Sequence, residues 1–65
     1  MSKVKQILDA AMDQATTAEW YNGTLFVEAS PWQMSCLEKT LERLVGNRMV
    51  ITRLELNNYA VDFTA

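Results

Sequence analysis

Two pairs of carboxylates stand four residues apart in this 65-residue chain, Asp9 with Asp13 and Glu38 with Glu42. On a helix that spacing puts both members of a pair on one side, an arrangement that acid–base chemistry could use. Each pair lies on the polar side of an amphipathic segment, so solvation rather than catalysis is expected of it. The chain has no histidine, the commonest general base and metal ligand. Cys36 is the one cysteine. It falls inside a helical stretch, away from a helix N-terminus where a thiolate would be stabilised, and has no histidine partner. Both glycines, Gly23 and Gly46, are accounted for by a turn and a helix end, which leaves no phosphate-cradling loop. The expectation is a protein that is not an enzyme, with no metal and no cofactor.

Aromatic and basic residues carry more information. Along the second helical stretch the apolar stripe centres on Leu37 and Leu41. At 100° per residue, Trp32, Cys36, Lys39 and Arg43 point almost the opposite way. An outward Trp beside a basic stripe is an interface signature, since Trp, Tyr and Arg dominate protein contacts. The stretch "AEWYNG" raises a second possibility. An Asn22-Gly23 turn sets Tyr21 opposite Thr24, Trp20 opposite Leu25 and Glu19 opposite Phe26. Alternation then sends Ala18, Trp20, Leu25, Val27 and Ala29 to one face, and Thr17, Glu19, Tyr21, Thr24, Phe26 and Glu28 to the other. Tyr21 and Phe26 on an outer face could stack on nucleic-acid bases. Glu19 and Glu28 beside them would repel phosphate, which favours a protein partner.

The elements that position these residues are legible. Val4, Ile7, Leu8, Ala11, Met12 and Ala15 recur at helical spacing, with Ser2 as a candidate N-cap and Lys5 four residues before Asp9. "SPWQ" supplies a capping box with Ser30 as N-cap, Pro31 at N1 and Gln33 at N3. That helix runs to about Val45, with Met34, Leu37, Leu41, Leu44 and Val45 as its buried stripe and Gly46 beyond its end. The final stretch reads as a hairpin about Asn57-Asn58. Leu56 would face Tyr59, Leu54 Val61 and Thr52 Phe63, all on one side with Val50. On the other side Arg53 would pair with Asp62. The order is α-β-β-α-β-β, an α+β fold in one small domain spanning 1–65. A mostly antiparallel sheet with two helices packed on one face is the natural arrangement.

Composition bounds the rest. Hydrophobic residues at 49% and charged residues at 22% describe a globular chain rather than a disordered one. A net charge of −2 gives no general attraction to nucleic acid or to an anionic membrane. No apolar run approaches the ~20 residues of a membrane span, and the N-terminus lacks a secretory h-region. The chain therefore reads as cytoplasmic and complete. Domains this short often gain stability by association, so a homodimer is an expectation from size alone. The leading functional expectation is a small protein-binding regulator or inhibitor that occupies a surface of a larger partner, in the manner of phage accessory proteins. The contact residues would be Trp32, Lys39 and Arg43, or Tyr21 and Phe26. Alternatives are a nucleic-acid-binding domain using the sheet aromatics with Lys39 and Arg43, and a structural homo-oligomer.

Overall fold

Apolar residues at helical spacing build two helices, and alternating ones build four strands. A computed structural model describes residues 3–46 and 48–63. The elements are α1 (Lys3–Gln14), β1 (Thr17–Tyr21), β2 (Thr24–Glu28), α2 (Pro31–Val45), β3 (Val50–Glu55) and β4 (Asn58–Asp62). The strands form one antiparallel sheet in the order β1-β2-β4-β3. This is the α+β arrangement expected from the sequence. The two hairpins join through β2 and β4, which leaves β1 and β3 at the edges.

The first hairpin has the predicted register. Asn22 and Gly23 adopt φ of 48° and 81°, so Tyr21 pairs with Thr24 and Trp20 with Leu25. Positive φ at both turn residues matches the twist of the flanking strands, and Asn-Gly is the pair that tolerates it most readily.

α2 begins as its sequence requires. The Ser30 side chain accepts from the Gln33 backbone N–H at 3.2 Å, and the Gln33 side chain accepts from the Ser30 N–H at 2.9 Å. Gly46 ends the helix at φ 76°, where its N–H reaches the Glu42 carbonyl at 2.8 Å. α1 carries the Lys5–Asp9 ion pair at 3.0 Å on its solvated side. The Ser2 cap lies outside the described residues.

The second hairpin departs from expectation. Its turn residues are Leu56 and Asn57, not Asn57 and Asn58, and Glu55 pairs with Asn58. Arg53 lies opposite Tyr59, while Asp62 lies opposite Val50, so the expected Arg53–Asp62 pairing does not form. The pairing with β2 explains this. Asn58 is the first residue of β4 and lies opposite Glu28, which holds it extended and out of the turn. Neither Leu56 nor Asn57 has positive φ, so this turn lacks the twist of the Asn22-Gly23 turn. A register shift between Arg53 and Glu55 takes up the mismatch at Leu54. The Arg53 guanidinium bends back instead, donating to the Glu55 carbonyl at 3.4 Å and the Leu56 carbonyl at 2.9 Å. The shift brings Ile51 opposite Val61, where Leu54 was expected, and leaves Val50, Thr52, Leu54 and Leu56 exposed.

Both helices cover the same face of the sheet. Ile7 and Ala11 of α1 and Met34, Leu37 and Leu41 of α2 form one core with Leu25, Val27, Tyr59 and Val61. Burial grades from the central strands outward: along the row Trp20, Leu25, Val61, Ile51 the two middle residues are buried and the outer two half-buried. Trp20 also stacks on Phe63, with ring centroids 5.6 Å apart. Met12, expected on the apolar stripe of α1, is 67% exposed. The buried direction of that helix runs through Ile7 and Ala11, and Met12 lies about 120° from it around the axis.

Candidate functional site: the uncovered face of the sheet

The second face of the sheet is covered by neither helix. The registers place three cross-strand rows on it: Tyr21, Thr24, Asp62, Val50; then Glu19, Phe26, Ala60, Thr52; then Thr17, Glu28, Asn58, Glu55. Tyr21 is 68% exposed and Phe26 38%. They are diagonal neighbours, because Phe26 stands two residues beyond the Thr24 that faces Tyr21. The outward placement expected for this pair is what the structure has.

Charge is distributed unevenly between the layers. The two helices carry Lys3, Lys5, Lys39 and Arg43 against Asp9, Asp13, Glu38 and Glu42, and balance. The strands carry Glu19, Glu28, Glu55 and Asp62 against Arg53 alone. All four carboxylates belong to the uncovered face by register, whereas Arg53 belongs to the Tyr59 row on the helix side. The uncovered face is therefore aromatic and acidic, and its rows contain no Lys or Arg.

One end of this face carries a shallow, open groove, which Tyr21 does not line. The groove, of about 400 Å³, is lined by Glu19, Phe26, Glu28, Leu54 and Glu55, among others. The irregularity in β3 matters here, since Leu54 at the shifted position lines the groove and is itself exposed. Leu54 was expected to lie opposite Val61. Its role at the groove follows from the bulge, which has no signature in a stretch without Gly or Pro.

The α2 stripe lies on the far side of the molecule. Trp32 is 78% exposed, and Lys39 and Arg43 are exposed along the same side of the helix. Cys36, between them, is half-buried and free, and its backbone carbonyl accepts from the Thr40 hydroxyl at 3.3 Å. The five candidate contact residues thus divide into two surfaces, Trp32 with Lys39 and Arg43 outside the helix layer, and Tyr21 with Phe26 across the sheet. Nothing brings the sheet aromatics together with the basic stripe, as a nucleic-acid interface built from both would require.

Asp9, Asp13, Glu38 and Glu42 are all exposed. Among the described residues no three Cys, Asp or Glu side chains gather as metal ligands. No described helix is long and apolar enough to cross a membrane. Comparison with protein-family models, with curated proteins and with solved structures finds no match.

Proposed function

We propose that this protein is a small, non-enzymatic, cytoplasmic protein-binding regulator that acts by occupying a surface of a larger partner. The observation that carries the reading is the uncovered sheet face, with Tyr21 and Phe26 exposed on a rigid antiparallel frame. Aromatics fixed on strands present contact area with little rotamer entropy left to lose on binding. Glu19 and Glu28 on the same face disfavour a phosphate backbone and favour protein.

The size of the face limits the mode of contact. Four strands ~4.8 Å apart, three of five residues and one of six, span an area of roughly 300 Å². A standard interface uses about 800 Å² per partner. The face therefore suits a segment of the partner, with inhibition or bias following from sequestering that segment.

Trp32 supports a second reading, because its 78% exposure is the highest among the large hydrophobic residues described. In that reading α2 is the contact surface, with Lys39 and Arg43 at its flank.

Affinity capture from the native host lysate separates the two readings, using wild type, Tyr21→Ser/Phe26→Ser and Trp32→Ala, each first checked for folding by circular dichroism. The sheet-face reading expects partner capture to be lost in the double variant and retained in Trp32→Ala. Loss in Trp32→Ala alone would move the contact to α2. Sedimentation of the free protein tests the homo-oligomer alternative: a dimer mass abolished by the double variant would assign the face to self-association.

A further inference from the structure

The uncovered face has a definite chemical preference, and this inference rests on its being the contact surface. Glu19, Glu28 and Glu55 line the same groove as Phe26 and Leu54. Glu19 shares a cross-strand row with Phe26, Glu28 and Glu55 share the next, and Leu54 stands at the bulge beside Glu55, so a bound segment meets apolar and acidic groups at once.

A second copy of this chain fits that surface poorly. Packing the face on itself would set one acidic surface against another, with no Lys or Arg in its rows to pair with the carboxylates, and like charges brought together disfavour association. The β3 edge is poorly suited to strand addition as well. Its register is irregular at Leu54, and the Glu55 and Leu56 carbonyls already accept from Arg53. What complements the groove is positive charge on an amphipathic stem.

We propose that the uncovered sheet face binds a cationic segment of a partner protein, one that presents Arg or Lys together with aliphatic residues on the same side. The aliphatic side chains and the arginine stems cover Phe26 and Leu54, and the guanidinium groups reach Glu19, Glu28 and Glu55. Arginine suits this position best, since its planar head pairs with carboxylates bidentately and also lies over an aromatic face.

The test is fluorescence anisotropy with a fluorescein-labelled decapeptide in which Arg and Leu take turns at every second position with Ser between them, so that an extended backbone turns both to one side, and with a control peptide carrying Glu in place of each Arg. Wild type is expected to bind the Arg peptide and not the Glu peptide, with affinity falling as salt rises. An exposed ion pair is worth about 1.4- to fivefold in affinity, so Glu19→Gln/Glu28→Gln/Glu55→Gln should weaken binding about tenfold. Asp13→Asn/Glu38→Gln/Glu42→Gln removes the same charge from the helix layer and should leave the affinity within about twofold. Equal weakening by the two triple variants would mean attraction to net charge only and would overturn the proposal. Absence of Arg-peptide binding to wild type would overturn it too. If the Tyr21/Phe26 double variant still lost its host partner, the face would remain the contact surface and only its cationic preference would fall.

Discussion

Leu25 and Phe26 are consecutive residues of one central strand, and they face opposite worlds. Leu25 is fully buried beneath the two helices, while Phe26 faces solvent with Glu19 beside it on the next strand. The same alternation runs through the sheet. Val61 and Tyr59 point to the core, and Ala60 between them points away from it. Both helices are on one side, so stability is concentrated on one face and the other is free to vary in chemistry. In a chain of 65 residues that division is economical: one set of strands both closes the core and displays a surface.

The contrast can be broken most forcefully at Leu25. Leu25→Ala should cost about 2–5 kcal/mol, from lost burial and the cavity left behind. Total stability for a domain of this length is about 3–10 kcal/mol. Urea unfolding followed by tryptophan fluorescence should show a large fall in midpoint or no folded baseline. Ser30→Ala comes next. It removes the cap that starts the covering helix, and should cost about 1 kcal/mol, a fall in Tm of about 4–8 °C. Phe26→Ala sharpens the comparison by doing less than its neighbour. It should cost no more than about 1 kcal/mol by the same urea experiment, because the face it leaves is already open to water. Lys5→Ala, on the solvated side of α1, should be smallest. Its exposed pair with Asp9 contributes a few tenths of a kcal/mol, measurable only as a small midpoint shift that disappears at high salt.

The fold was readable wherever local chemistry acts alone. Asn22-Gly23 has one favoured geometry, and Ser30-Pro31 with Gln33 leaves little choice about where α2 begins. The second hairpin departs from its local signals because its outcome is decided at long range. Asn57 and Asn58 have similar turn chemistry, and the sequence around them contains no sign that β2 takes Asn58 into the sheet opposite Glu28. That single displacement moved the turn to Leu56-Asn57, put Ile51 against the core and put Leu54 at the groove. The candidate contact residues fared similarly. Tyr21, Phe26 and Trp32 follow from simple periodicity and are exposed as expected. Glu55 and Leu54 join Phe26 in one groove only through strand order and the bulge, and neither can be read from one segment at a time.

The division between a stabilising face and a contact face is tested most directly by amide chemical-shift mapping of the ¹⁵N-labelled protein during titration with the Arg–Leu decapeptide. Shifts concentrated at Glu19, Phe26, Glu28 and Asn58, with Lys39 and Arg43 unmoved, are expected if the sheet face is the contact surface. Shifts centred on Trp32, Lys39 and Arg43 with the sheet unmoved would contradict it, and would make the helix layer both the cover of the core and the surface that binds.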